Sequence, residues 1–267
     1  MSFKQVCKRI KDLKIQGARN VAEAGIKATE LKDFSKKVIL SLRPTEPALK
    51  NGIEYAEKYG VEKALNYFKE TQDKINKSGY KKAKGVVFTH CHSSTVVNLL
   101  KYAKKKGKKF EVFNTETRPL YQGRKTAREV SKEGIKVTMV ADVAAGIALR
   151  ETKSMKKTNV IFFGADAVLK NGNVINKVGS GMFAEIAYGH KIPVYIVTQG
   201  WKFTNRPIKI EEREREEVWK KSPKSIKIKN PAFETINSKY ITGIISEFGI
   251  SKPKVFVKKV KAKYKWI

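Results

Sequence analysis

The sequence predicts an α/β protein: an N-terminal helical unit over residues 1–80, then a Rossmann-like, mostly parallel sheet flanked by helices over residues 81–267, ending in a basic C-terminal tail. Three observations carry that expectation. The first stretch places apolar side chains at helical spacing and shows no β pattern. From Gly85 onward, short β-branched runs alternate with helical stretches, as in parallel strands joined by crossover helices. Those runs are continuously apolar, as strands buried on both faces are.

In the helical unit Phe3, Val6, Ile10 and Leu13 keep helical spacing until Gly17-Ala18-Arg19 interrupts. A second helix is expected from about Val21 to Leu42. Pro44 then drives Arg43 out of the α region, and Thr45 is placed to cap a segment that takes Pro47 in its first turn. A third helix is expected over Val61–Asn76. Strands are expected at Val86–Thr89, Phe110–Asn114, Val137–Ala141, Val160–Phe163, Val194–Thr198 and Ile241–Ile245. Helices are expected at Thr95–Lys106, Lys125–Glu133, Ala144–Met155 and Met182–Tyr188. Val168–Asn176 reads as a hairpin turning at Asn171-Gly172. Residues 204–235 read as irregular, with Glu211–Glu217 a solvated charge run. The basic, aromatic stretch Val255–Ile267 reads as a tail that docks on a partner subunit or frays.

The formal net charge is +32, from 57 Lys and Arg against 25 Asp and Glu. Such a charge suits nucleic acid, an anionic membrane or phosphorylated small molecules. The lysines are scattered, and no basic-aromatic signature occurs outside the tail, so a phosphate-tolerant site is expected rather than nucleic-acid binding. No stretch has transmembrane length and no signal-peptide core is present, so a cytoplasmic protein without membrane contact is expected. Two cysteines, Cys7 and Cys91, make neither a disulfide framework nor a zinc quartet. With no G-x-G-x-x-G fingerprint and no Walker-A loop, neither metal nor organic cofactor is expected.

Ligands of parallel sheets bind outside the carboxyl ends of the strands. The first strand runs into His90-Cys91-His92-Ser93-Ser94-Thr95, the second into Thr115-Glu116-Thr117-Arg118, the third into Asp142, the fourth into Gly164-Ala165-Asp166, and the fifth into Thr198-Gln199 with Lys202 close by. At a strand-to-helix junction Cys91 sees the positive end of the helix dipole, which favours a thiolate. The ordinary alternative is a buried structural cysteine. Asp166 either caps a turn or partners Cys91, one group moving a carbon-bound proton and the other an oxygen-bound one. Three helix starts suit phosphate: Gly123 before Arg124 and Lys125, Gly179-Ser180-Gly181 after Asn176-Lys177, and Ser93-Ser94. Each alone is an ordinary cap; together on one edge they favour an anionic ligand.

Arg43-Pro44-Thr45, Thr89 to Ser94, Thr115-Glu116-Thr117-Arg118-Pro119 with Gln122-Gly123, Gly164-Ala165-Asp166, Asn173 to Gly179 and Asn230-Pro231-Ala232-Phe233 form a set of short motifs. In this order they resemble the family that groups initiation factor 2B α/β/δ-type subunits, methylthioribose-1-phosphate isomerase and archaeal ribose-1,5-bisphosphate isomerase, over about Gly17 to Phe256. The resemblance implies a homo-oligomer, a dimer or a trimer of dimers. The isomerases use a cysteine and an aspartate at positions matching Cys91 and Asp166, and the eukaryotic regulatory α subunit lacks that pair. The Arg-Pro-Thr and Cys-His-Ser-Ser forms look most like ribose-1,5-bisphosphate isomerase. By that resemblance Arg43 and the Gly17-Ala18-Arg19 loop hold phosphate. Ser93, Ser94, Thr95, Arg118, Gln122, Gly123, Asn176, Lys177 and Lys202 would then bind substrate. The usual family run Arg-Gly-Ala-Gly-Arg reads Gln16-Gly17-Ala18-Arg19-Asn20 here.

The activity implied is conversion of ribose 1,5-bisphosphate to ribulose 1,5-bisphosphate without a cofactor. The Cys91 thiolate would remove the C2 proton and a protonated Asp166 would donate to the ring oxygen. The main rival is a non-catalytic regulatory subunit that binds a sugar phosphate or nucleotide and docks on a translation factor, a role that does not need Cys91 with Asp166. Isomerisation of methylthioribose 1-phosphate is a second rival and needs an apolar subsite in place of one phosphate. Charge-driven RNA binding is the third.

Overall fold

The structure is a computed structural model that describes every residue except 151 and 154. Its N-terminal part forms α1 (Phe3–Lys11), α2 (Ala18–Ala28), α3 (Lys36–Ser41), α4 (Pro47–Tyr59) and α5 (Val61–Gly79). A capping box opens α1: the Ser2 hydroxyl accepts the Gln5 amide at 3.4 Å while Gln5 Oε1 accepts the Ser2 amide at 2.9 Å. The single helix expected over Val21–Leu42 is instead α2 and α3. Thr29 Oγ1 donates to the Ile26 carbonyl at 2.7 Å as α2 ends, and Ser35 Oγ accepts the Val38 amide at 3.5 Å to start α3. Between them Phe34 meets Phe3 edge-on, ring centres 5.6 Å apart, a tertiary contact that overrides local periodicity. Thr45 does not cap α4 either. Its hydroxyl donates to the Lys209 carbonyl at 3.3 Å, and Glu46 takes the cap position without a side-chain bond.

Glycines let α2 and α4 pack closely: a Cβ at Gly25 would stand 2.2 Å from Leu49 Cδ1. Ile10, Val21, Ile39, Leu49 and Ile53 form one core there, and Ala22, Ile26, Phe68 and Trp201 another. The far end of α5 lies on the sheet, where Ile75 joins Leu99, Leu100 and Ile245.

The strands are β1 (Gly85–Thr89), β2 (Phe110–Thr115), β3 (Val137–Val140), β4 (Val160–Phe163), β5 (Ala167–Leu169), β6 (Val174–Lys177), β7 (Val194–Val197), β8 (Phe203–Thr204), β9 (Phe233–Ile236), β10 (Gly243–Ser246) and β11 (Gly249–Ser251). The later helices are α6 (Ser94–Lys105), α7 (Gln122–Ser131), α8 (Ala145–Ala148), α9 (Ser180–Gly189) and α10 (Pro253–Lys263). The main sheet runs β11-β10-β7-β4-β1-β2-β3 and is parallel except for β11. Alternate residues feed opposite layers. Phe88 joins Ile161, Phe163 and Phe183 of α9 on one face, and Val87 joins Phe162, Val97 and Leu100 of α6 on the other.

Later stretches also depart from the sequence reading. The expected hairpin exists as antiparallel β5 and β6, turning at Gly172 with φ 87°, but it belongs to a second sheet ordered β8-β5-β6-β9. Phe233–Ile236 therefore lies in a strand, although the segment around it reads as irregular. The helix expected over Ala144–Met155 shortens to α8, and part of that expectation falls on residues 151 and 154, outside the described residues. The C-terminal tail is helical and packs on its own chain rather than fraying. Its helix α10 buries Phe256, Val257 and Val260, and Tyr264 and Trp266 pack into the cluster around Trp201. No helix among the described residues is long and apolar enough to cross a membrane.

Candidate active site

The ends of β1, β4 and β6 and the starts of α2, α6 and α7 converge on a cavity of about 320 Å³. The chain leaves β1 through His90, which is buried, and turns sharply at Cys91, whose φ of 65° lies in the left-handed region. Such a backbone persists only when its neighbours hold it. The Cys91 amide donates to Thr117 Oγ1 at 2.9 Å, and the Cys91 carbonyl accepts Thr126 Oγ1 at 2.8 Å. Thr117, itself at φ 64°, is pinned by Asp142: Oδ1 accepts its amide at 2.8 Å, and Oδ2 accepts the Arg118 amide at 2.6 Å. His90 Nε2 lies 2.8 Å from the Val178 carbonyl, so that nitrogen carries the hydrogen and Nδ1 accepts from Thr115 Oγ1 at 2.5 Å. Burial lowers the His90 pKa to about 4, which keeps the ring neutral.

Gly164 follows β4 because α6 begins against it. A Cβ there would stand 2.7 Å from Ser93, whose hydroxyl caps α6 by accepting the Val96 amide at 3.4 Å. Two residues later Asp166 reaches the cavity. Burial raises its pKa to about 6, against the pull of Lys202 and Lys177. Burial pushes the Cys91 thiol up to about 11, with Lys177 the largest opposing influence. The helix start therefore does not make Cys91 a resting thiolate: desolvation outweighs the dipole. Lys202 is fully buried beside Asp166, its Nζ donating to the Ala165 carbonyl at 2.5 Å, and burial lowers its pKa.

Arg19, Arg43, Lys125, Arg128, Lys177, Lys202 and Arg213 line the cavity together with the carboxyl groups of Glu46, Asp166 and Glu211. Arg43 is less free than its motif implies. Its guanidinium donates to Glu211 Oε1 at 3.0 Å and to the Ile10 carbonyl at 2.7 Å, and Nε lies 3.9 Å from Glu46. Glu211 also accepts Arg213 at 2.9 Å, and Arg213 pairs with Glu217 at 2.7 Å. The run Glu211–Glu217 is thus partly a strap on the cavity wall and not simply a solvated segment.

Of the residues singled out from the sequence, Gly17, Ala18, Arg19, Arg43, Cys91, Ser93, Ser94, Gln122, Asp166, Asn176, Lys177 and Lys202 line this cavity. Thr95, Arg118 and Gly123 do not. Thr95 is buried in α6, its carbonyl accepting Gln72 Nε2 at 3.3 Å. Arg118 hydrogen-bonds the hydroxyl of Tyr121, which lines the cavity where Arg118 does not. Gly123 is a packing residue, since a Cβ there would stand 1.8 Å from the Thr115 carbonyl oxygen. The Gly179-Ser180-Gly181 helix start is not open to a ligand: Glu234 Oε1 accepts the Gly181 amide at 2.7 Å, and Gly179 packs on His90. Sequence reasoning missed Glu46, Glu211 and Arg213. A carboxyl directly before Pro47, following an Arg-Pro-Thr run, is the one local trace of the first.

A family profile described as the initiation factor 2 subunit family matches residues 11–253. A ribose 1,5-bisphosphate isomerase of Methanocaldococcus jannaschii is 32% identical over 94% of this chain and 92% of its own length. A methylthioribose-1-phosphate isomerase of Thermosipho africanus is 31% identical over 94% of this chain and 87% of its own. The crystal structure of the Pyrococcus horikoshii translation initiation factor eIF-2B superposes with a TM-score of 0.84 at 25% identity, covering 95% of this chain and 98% of that one. The extent of the profile match and the agreement in fold have one conclusion: the chain belongs to the initiation factor 2 subunit family.

Proposed function

We propose that the chain is an aldose–ketose isomerase that converts ribose 1,5-bisphosphate to ribulose 1,5-bisphosphate. The observation that carries this reading is the presence of Cys91 and Asp166 in the wall of one cation-rich cavity. Sugar-phosphate isomerases among the relatives support the reaction class. Two separate cationic sets support a bisphosphate: Arg19 at the start of α2, where it pairs with Glu23 at 2.7 Å, and the Lys125 and Arg128 side chains of α7.

At neutral pH the resting pair holds one proton, with Cys91 as thiol and Asp166 largely as carboxylate. The roles implied by the motifs need thiolate and carboxylic acid. These forms differ only by one proton passing between the groups, and each contains one base and one acid. The base takes the C2 proton while the acid protonates the ring oxygen, so the ring opens to an enol bearing the C1 phosphate. The C2 hydroxyl then returns a proton to the former acid, and the former base delivers its proton to C1, giving the ketone. Phosphate contacts remote from these atoms hold the sugar in line.

One observation favours methylthioribose 1-phosphate as a second reading. Arg43 is matched by Glu211 and Glu46, and Leu13, Leu120 and Phe233 give the cavity apolar surface. Proton NMR of each sugar with wild type and Cys91→Ala tests both. The expected result is bisphosphate turnover by wild type and a loss of roughly 10²–10⁴-fold in the variant. Turnover of the thioether sugar alone would replace the substrate. Silence on both, with saturable sugar-phosphate binding, would make the chain a regulatory subunit.

A further inference from the structure

Glu46 is a buried carboxyl in the cavity wall that the mechanism above does not use. It stands at the cap position of α4, where a carboxylate ordinarily accepts an amide of the first turn, yet its side chain makes no such bond. It is 5% exposed, Oε2 has no hydrogen-bond partner among the described residues, and Oε1 lies 3.9 Å from Arg43 Nε. A buried carboxyl that neither caps its helix nor forms a close pair carries a desolvation cost that its distant pairing with Arg43 only partly offsets. Glu46 lines the cavity together with Asp166, and its side chain makes no bond to the helix it begins.

We propose that Glu46 is a substrate-contacting residue that hydrogen-bonds a hydroxyl of the bound sugar on the Asp166 side of the cavity. The inference rests on the sugar-phosphate reading above and names the group recognised within it. A phosphate does not fit this corner, because Asp166 from the end of β4 and Glu211 from the strap face the same space, with Arg43 and Lys202 already set against them. A hydroxyl fits, since its oxygen accepts the proton of the carboxyl's acid form, the form that the neighbouring Asp166 and Glu211 carboxyls favour. In ribose 1,5-bisphosphate the free hydroxyls are at C2 and C3, and the C2 oxygen becomes the ketone. The C3 hydroxyl is therefore the one held throughout. Burial, reinforced by Asp166, raises the Glu46 pKa to about 8, so the contact is made by the acid form at neutral pH.

A cycle of hydroxyl deletion and side-chain truncation tests this. kcat/KM is measured for wild type, Glu46→Ala and Glu46→Gln on ribose 1,5-bisphosphate and its 3-deoxy analogue. In wild type, loss of the hydroxyl costs about tenfold to a hundredfold. Glu46→Ala costs a similar factor on the ribose substrate and little on the 3-deoxy one, and Glu46→Gln recovers most of the loss. A merely structural glutamate would depress both substrates equally, and that result overturns the contact while the isomerase reading stands. Should Glu46→Ala fail to fold, Glu46→Gln carries the cycle through its pH profile: wild type loses kcat/KM as pH rises through about 8, and the amide variant does not. An alkaline limb shared by both overturns the proposal. If wild type acts only on methylthioribose 1-phosphate, the bisphosphate reading has failed, and the cycle with that sugar and its 3-deoxy analogue decides on Glu46 by the same criterion. Inactivity on both sugars overturns both readings.

Discussion

In the proposed reaction a single proton shared by Cys91 and Asp166 sets the chemistry at the scale of the residue. Below about pH 6 Asp166 becomes protonated as well, and the pair then has no base. kcat/KM is therefore expected to rise with pH through about 6. Lys177 lowers both groups, and no carboxylate pairs with it among the described residues. Lys177→Met should move the acid limb above its wild-type position, whatever it does to the maximum rate. A limb that stays in place would show that Lys177 does not reach the pair. Cys91 and Asp166 were legible in the sequence because strand ends are fixed by local pattern, and parallel sheets put their ends on one edge. The thiol state of Cys91 was not legible, because burial is set by residues from other elements. Nor was the engagement of Arg43, whose partner Glu211 lies 168 residues away.

Helix starts are the elements that build the cavity, and close backbone approaches hold them there. Gly164 is where β4 meets the start of α6. Gly164→Ala brings a Cβ within 2.7 Å of Ser93, whose hydroxyl caps that helix. The variant is expected to lose about 1–3 kcal/mol of stability and roughly 10² in kcat/KM through displacement of the Cys91 turn. Denaturant titration and steady-state kinetics check the two effects; intact kinetics would mean that α6 yields without moving Cys91. The alternation of strand and helix was readable because each crossover repeats the same hydrophobic logic. The break between α2 and α3 was not, since the Phe3–Phe34 contact that favours it joins segments far apart in sequence. The second sheet escaped for the same reason: β9 pairs with β6 across a long irregular connection.

Across the whole molecule, the N-terminal helices, the sheet and the C-terminal tail meet at Trp201, next to the site cation Lys202. Tyr67 of α5 stacks on Trp201 with ring centres 3.6 Å apart. Glu247 accepts the hydroxyls of Tyr67 and Tyr264, each at 3.0 Å, and the Gly200 amide at 2.9 Å. Removal of residues 264–267 should lower kcat in steady-state assays, because the turn carrying Lys202 loses the support of Tyr264 and Trp266. An unchanged kcat would confine the tail to stability. The buried carboxyls leave a second signature on the molecule as a whole. Glu46 and Asp166 start from ordinary values of 4.5 and 3.8 and rise to about 8 and about 6 in the folded protein, chiefly through burial. Folding thus takes up protons between those limits. Their contribution to stability is full below about pH 4 and is lost as pH rises, first through about 6 and then through about 8. Glu46→Gln removes the charge that would otherwise form at this buried position. Its thermal midpoint should exceed that of wild type by a few degrees above pH 8 and match it near pH 4.5. An equal shift at both pH values would trace the gain to packing and not to the buried charge.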